Sequence, residues 1–246
     1  MLTEQSLLLF IVCMAGGFAN GMGGSGGLLI VPYMMSVGIS PATALATARF
    51  AAIPSHILTV WNFNKANQVV WPSLPVLSVL AVVGGLIGTQ LIIDIPEQYI
   101  YPIIGIVLLA LVAFILLDKG WGVDELKQRK PAIGYASYFI AMIYAGFFGA
   151  GASLMLVFSQ VKFLGFKAMQ AHATDTLIWI VMSIFSVALF WWYGKINFDL
   201  CLSIFLGMSI GSYLGSKVAI KGGDVWVKYV ILLFATIMGV KFLLFS

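Results

Sequence analysis

Of the 246 residues, 61% are hydrophobic and 9% are charged, against about 45–50% and about 25% in soluble domains, so a water-soluble globule is excluded. The net charge of +4 does not point to nucleic acid, because Lys and Arg occupy short connectors and form no basic stripe interleaved with aromatics. Cys13 and Cys201 stand far apart in apolar stretches without a CxxC partner, which predicts two small buried hydrophobes and neither a disulfide nor a metal site.

About eight apolar segments long enough to span a bilayer run in chain order, approximately 6–37, 42–62, 72–93, 98–117, 133–161, 169–193, 198–219 and 226–245. They predict an all-α, polytopic transmembrane helix bundle. No Lys or Arg precedes the first segment, which therefore lacks the basic start of a cleaved secretory signal and is expected to be retained. As one straight helix it would measure roughly 48 Å, against about 30 Å of hydrocarbon. Its centre reads GGFANGMGGSGG, a glycine density that predicts a break. A broken backbone in lipid has to be satisfied by protein or by a water-filled cavity, so two short helices meeting inside the bundle are expected. The segment at 133–161 repeats the pattern more weakly, as GFFGAGAS at 146–153.

The longest polar stretch, DKGWGVDELKQRKP at 118–131, holds seven of the 22 acidic and basic side chains. It reads as a cytoplasmic linker between a first transmembrane repeat, 1–117, and a second, 132–246. An ungapped internal register supports the duplication. At an offset of 127, Gly24 meets Gly151, Ala44-Leu45-Ala46-Thr47 meets Ala171-His172-Ala173-Thr174, and Gly84 and Gly88 meet Gly211 and Gly215. Duplicated bundles are a common plan of secondary transporters.

Charge placement orients the segments. If all of them cross, the twelve connector Lys and Arg residues divide seven to five between the two faces. If the first and fifth are re-entrant hairpins, ten share one face and only Lys195 and Lys241 lie on the other. The positive-inside rule selects the second arrangement, with the ten in the cytoplasm. Each half then has a broken or re-entrant glycine-rich segment plus three spanning helices, an odd number of crossings, so the halves form inverted repeats and both termini lie outside.

Arg49, His56, His172 and Asp175 fall inside apolar segments, where a charge costs about 2.5–3.5 kcal/mol on insertion scales, so each is a candidate functional group. In one reading Arg49 attracts an anionic substrate while Asp175, with His172, gains or loses a proton during transport. In the other, Arg49 and Asp175 form a packing salt bridge, or Arg49 snorkels to the interface. His56 stands two turns beyond Arg49 on roughly the same face, as a gating or proton-coupling group or as a packed histidine. GMGGSG at 21–26 has the form GxGxxG but follows no strand and lacks the later acidic residue, so no nucleotide cofactor is expected. It predicts instead an unwound stretch at Gly23 and Gly24 whose N–H groups face an anion, helped by the positive end of a half-helix starting near Leu28. Asn20 and Ser25, with Ser153 from the second copy, can add side-chain donors; the same glycines also let helices approach closely. Thr47 and Thr174 are placed to line a midplane site or to bond their own helices. Trp61, Trp71, Trp121, Trp191 and Trp192 cluster at segment ends like interfacial belts. No nucleophile with its base, no metal-ligand spacing and no catalytic carboxylate pair appears, so neither an enzyme nor a cofactor is expected.

GFANGMGGSGGLLIVPYMMSVGISPATALATA in the first half, with GFFGAGASLMLVF and KAMQAHATDT in the second, resembles the TauE/SafE sulfite exporter family. The likeness covers nearly the whole chain: a glycine-rich segment followed by Val31-Pro32, an Ala-Thr run at the next helix, then GGLIG or GSYLG. The resemblance implies a secondary transporter of the cell inner membrane, working as an exporter of a sulfur-containing anion such as sulfite, a sulfonate or thiosulfate. Its partners would be that anion and the lipid bilayer, with proton coupling and a homo-oligomer left open. The second copy has fewer glycines, and Phe158 or a neighbour stands where a second proline would be expected, which tilts the anion site toward the first half. A passive anion channel is the alternative, and a non-catalytic membrane subunit a more distant one.

Overall fold

The computed structural model describes residues 2–23, 26–96, 98–100, 103, 106, 130–149 and 151–222. Gly24, Ser25, Trp121, the linker as far as Arg129, most of the segment 98–117 and the last apolar segment, 226–245, lie outside the described residues. Among those described there is no strand. The helices are α1 Leu2–Gly21, α2 Gly27–Ser36, α3 Pro41–Lys65, α4 Leu74–Asp94, α5 Pro131–Phe147, α6 Ala152–Ser159, α7 Ala168–Trp192 and α8 Phe198–Gly222. A π turn, Gln160–Leu164, extends α6.

The predicted break in the first segment takes the form of a helical hairpin. α1 stops at Gly21, Gly23 adopts φ +97°, and α2 runs back beside α1. Gly26 sits against Gly16 and Asn20, Ile30 sits against Gly16, and further along Tyr33, Met34 and Val37 wall a cavity together with Ser6 and Leu9. The second copy does the same. Gly149 and Gly151 turn the chain with φ +77° and +79°, a region open to glycine and strained for other residues. α6 then returns along α5, where Ser159 Oγ donates to the Gly134 carbonyl at 2.9 Å and Lys130 N–H donates to the Phe163 carbonyl at 3.0 Å.

α3 and α7 lie antiparallel at the centre. α3 starts cleanly because Ser40 caps it, accepting from Thr43 N–H, and Pro41 fits the first turn. Near the start of α3, Thr47 Oγ1 accepts the N–H of Asn197, just beyond the end of α7, at 3.0 Å. Near the start of α7, Thr174 Oγ1 accepts the N–H of Val70, just beyond the end of α3, also at 3.0 Å. Thr47 and Thr174 are 127 residues apart, and so are Val70 and Asn197. The internal register of the sequence thus reappears as two matching hydrogen bonds.

The hairpins pack across the halves. α1 lies along α8, where Gly207, Gly211 and Gly215 meet the backbone of Phe10, Met14 and Phe18. α5 lies along α4, where Gly84 and Gly88 meet the backbone of Phe139 and Ile143. A Cβ on Gly88 would fall onto the Ile143 carbonyl, so this helix pair approaches closely only because the residue is glycine. Each hairpin therefore leans on the fourth helix of the other half, and the two halves interleave.

Three described spans, Trp71–Asp94, Ala168–Trp192 and Phe198–Lys221, are long and apolar enough to cross a membrane. α3 matches them in length but is more polar, because its buried positions include Thr47, Arg49, Ser55, His56 and Thr59. On α4, Val76, Val79, Val83 and Ile87 form an exposed stripe at helical spacing. An apolar stripe turned outward suits lipid as the surrounding solvent. Trp61 and Trp71 are exposed at one end of the bundle, Trp191 and Trp192 at the other. Of the seven described lysines, Lys65, Lys130, Lys162, Lys167, Lys217 and Lys221 gather at the first of these ends and Lys195 lies at the second. The connectors of the six are tied together by the Val70–Thr174 and Lys130–Phe163 bonds and by Asn62 Nδ2 donating to Ser216 Oγ at 2.8 Å.

Candidate functional site

A small cavity of about 70 Å³ opens where the tips of both hairpins meet α3 and α7, room for a ligand of only a few heavy atoms. α1 and α2 contribute Asn20 and Gly27, α3 contributes Arg49 and His56, the second hairpin contributes Gly149 and Ser153, and α7 contributes Trp179 and Ser183. Arg49 stands eight residues into α3, roughly 12 Å along the helix axis from its start.

The Arg49 side chain is 6% exposed. Its Nη1 donates to Thr89 Oγ1 at 3.1 Å, its Nη2 donates to the Ala145 carbonyl at 2.7 Å and more weakly to the Gly146 carbonyl at 3.4 Å, and its guanidinium carbon lies 5.7 Å from the centre of the Phe190 ring. These partners are all neutral. The carbonyls at the end of α5 carry partial negative charge and hold the guanidinium in place, but partial charges do not neutralise a full cation at this depth. Asp175 bonds elsewhere: its Oδ1 accepts from Tyr138 Oη at 2.8 Å and from Gln160 Nε2 at 2.7 Å. The Arg49–Asp175 salt bridge that the sequence allowed is not formed.

Two helix starts converge on the same space. α2 begins at Gly27, close to the expected half-helix start near Leu28, and α6 at Ala152, and each turns the positive end of its dipole toward the cavity. Ser183 Oγ is buried without a hydrogen-bond partner, and Ser153 is 6% exposed. Guanidinium N–H groups, hydroxyls and helix N-termini are all donors. Such a lining has the chemistry that suits a small anion.

Of the residues singled out from sequence, Arg49, Asn20, His56 and Ser153 come together on this cavity. Asn20 Nδ2 lies 3.4 Å from His56 Nε2. Gly23 shapes the turn, while Gly24 and Ser25 fall outside the described residues. Thr47 and Thr174 are not among the lining residues; both accept a connector N–H, and Thr47 also donates to the Thr43 carbonyl at 2.7 Å. His172 lies against the backbone of Asn20 and Gly21 at the tip of α1 and meets the Phe63 ring edge-on at 5.3 Å. Asp175 is buried in a separate cluster with Tyr138 and Gln160. Sequence reasoning missed Thr89, Trp179 and Ser183. For the last two a faint signal existed, since Asp175, Trp179 and Ser183 recur every fourth residue on one face of α7. Among the described residues no group of three His, Cys, Asp or Glu side chains is placed to hold a metal ion.

Three curated relatives align over almost the full chain. A "Probable membrane transporter protein YfcA" of Escherichia coli K12 is 26% identical over 96% of this chain and 88% of its own length. A "Probable membrane transporter protein" of Haemophilus influenzae is 25% identical over 95% and 92%, and the "Probable membrane transporter protein ORF9" of a Sinorhizobium species is 20% identical over 96% and 91%. No solved structure matches the chain. With residues 9–242 matching the family described as Sulfite exporter TauE/SafE, the chain belongs to that family and is a membrane transporter of its type.

Proposed function

We propose that this transporter carries a small sulfur-containing oxyanion, such as sulfite, a sulfonate or thiosulfate, as a secondary exporter of the cell inner membrane. The observation that carries the reading is Arg49: a buried guanidinium whose partners among the described residues are neutral, on a cavity where two helix starts and two serines also meet. The anion would bind between the halves, held by Arg49, Ser153 and Ser183, with Asn20 and His56 at its edge. Thr47 and Thr174 would act on the site indirectly, by fixing the connectors. The sulfur comes from the family description.

The halves, 1–117 and 132–246 joined by 118–131, are in this reading inverted repeats. The antiparallel α3 and α7 with their matching bonds support it, as do the two hairpins. The lysine-rich end, with the linker, would face the cytoplasm and both termini the outside. Alternating access would follow from rocking the two hairpins against α3 and α7 around a fixed site.

Binding to the purified protein in lipid tests the reading, with sulfite, thiosulfate, sulfate and a short sulfonate as ligands. Saturable binding of at least one sulfur oxyanion, lost in Arg49→Ala, is the expected result. Flux in proteoliposomes then separates carrier from channel: saturating flux fits the proposal, and rapid ohmic current refutes it. A C-terminal reporter found in the cytoplasm would overturn the topology.

A further inference from the structure

A second polar cluster lies outside the cavity, where α7 passes α5 and the π turn that follows α6. Asp175 on α7 is 1% exposed, and Tyr138 on α5 and Gln160 in the π turn are fully buried. Both of their donors reach the same carboxyl oxygen, Oδ1, at 2.8 Å and 2.7 Å. The other carboxyl oxygen, Oδ2, and the Gln160 amide oxygen, Oε1, are both buried without a partner.

Two orphan acceptors, one on each member of a pair already joined by a 2.7 Å bond, are what an unplaced proton leaves behind. An ionised carboxylate is acceptor-only, whereas a carboxylic acid has one O–H donor. With the proton on Oδ2, acid and amide can pair face to face. The amide N–H donates to Oδ1, the acid O–H donates to Oε1, and one hydrogen satisfies both orphans. Leaving a buried acceptor unsatisfied is costly, more so when it is charged. Turning the amide over would set its oxygen against Oδ1 and against the Leu156 carbonyl, the two acceptors its N–H groups now serve at 2.7 Å and 3.3 Å. Among the described residues, no titratable group nearby supplies a counter-charge. Tyr138 faces Asp175 from α5, and His172 stands three residues earlier on α7, against the backbone of Asn20 and Gly21. On α3, Arg49 and His56 are bonded at the cavity, and α4 contributes Asp94 only at its far end, next to Gln90.

We propose that Asp175 is a proton-binding site, held as a carboxylic acid by Gln160 and Tyr138, and that losing this proton loosens the second hairpin from α7. In that step the O–H bond breaks, the electron pair stays on the carboxylate, and the proton passes to water entering the opened cluster. The same hairpin supplies the Ala145 and Gly146 carbonyls to Arg49 and Ser153 to the cavity. A hairpin shift at Asp175 therefore reaches the anion site, which couples proton and anion. The coupling rests on the carrier reading above; the protonation does not.

The test uses the full chain in lipid. The infrared difference between wild type and Asp175→Asn at neutral pH is expected to contain the carbonyl band of a protonated carboxylic acid; its absence overturns the proton site, whatever the protein transports. In proteoliposomes with sulfite, thiosulfate and a short sulfonate as probes, Asp175→Asn should keep anion binding and downhill exchange, because the amide mimics the neutral acid. It should lose the pH dependence and the response to a proton gradient. A variant that retains both overturns the coupling. Tyr138→Phe removes one donor to the carboxyl and so favours the acid form; both the infrared band and the flux profile should shift to higher pH, and an unmoved pair of curves refutes the proposal even if Asp175→Asn fails to fold.

Discussion

Replacing Arg49 separates anion binding from architecture. A guanidinium has five N–H donors, and three hydrogen bonds engage Thr89, Ala145 and Gly146, which leaves donors free for a ligand in the cavity. Two charge-assisted bonds to an oxyanion, at about 1.5–3 kcal/mol each, amount to about 3–6 kcal/mol. At about 1.4 kcal/mol per tenfold, Arg49→Ala should weaken binding roughly 10²–10⁴-fold. Arg49→Lys keeps the charge but loses the planar fork, so an intermediate loss of roughly tenfold to a hundredfold is expected. Both changes also uncap the end of α5, where each unsatisfied buried carbonyl costs about 1–3 kcal/mol, so thermal unfolding in detergent has to be measured beside affinity. Thr89→Val is the control: it removes the Nη1 bond and should cost about 1 kcal/mol of stability while leaving anion affinity near wild type. Binding is read by calorimetry or by displacement of a labelled sulfur oxyanion. A folded Arg49→Ala protein that binds and moves the anion as well as wild type would falsify the assignment.

Ser153→Ala and Ser183→Ala should each weaken anion affinity by about 0.5–1.5 kcal/mol, roughly twofold to tenfold, with unchanged folding; equal affinities would remove the hydroxyls from the site. Gly88→Val forces a branched side chain onto the Ile143 carbonyl and should destabilise the α4–α5 pair by about 1–3 kcal/mol or more, seen as a lower unfolding temperature. In a background without Cys13 and Cys201, cysteines at Thr47 and Asn197, and separately at Val70 and Thr174, should cross-link on oxidation. Parallel packing of α3 and α7 would put the members of each pair at opposite ends of the bundle, and neither would react.

The hairpin geometry joins the parts of the proposed cycle. The described parts of both hairpin tips meet α3, α7 and the cavity, so in the proposed membrane setting protein and the cavity, instead of lipid, would cover the break. Side chains from the opposite helix pair hold the tips. Arg49 from α3 binds the end of α5, and His172 from α7 lies against the end of α1. These two residues are not equivalent in the internal register, so the matching halves carry different chemistry at matching places. In the proposed cycle, a cation at one tip and an imidazole at the other would give an anion a defined side to bind.

The membrane class, the broken first and fifth segments and the internal register were legible in the sequence, and Arg49 stood out in it as a candidate site residue. Each depends on a local property: apolar length, glycine density, self-similarity, or the cost of a charge in lipid. The offset of 127 also relates the two threonine–connector bonds, although the bonds themselves were not read from the sequence. What the sequence left open was which buried polar groups face one another. It allowed an Arg49–Asp175 salt bridge and a midplane site lined by Thr47 and Thr174. The fold instead sends Arg49 to the α5 carbonyls, Asp175 to Tyr138 and Gln160, and both threonines to connector amides. Those choices are set by how the hairpins cross to the opposite half, and helix crossing depends on small-residue contacts between segments far apart in the chain. Periodicity within one helix reports which face is polar. Only tertiary packing decides what that face meets.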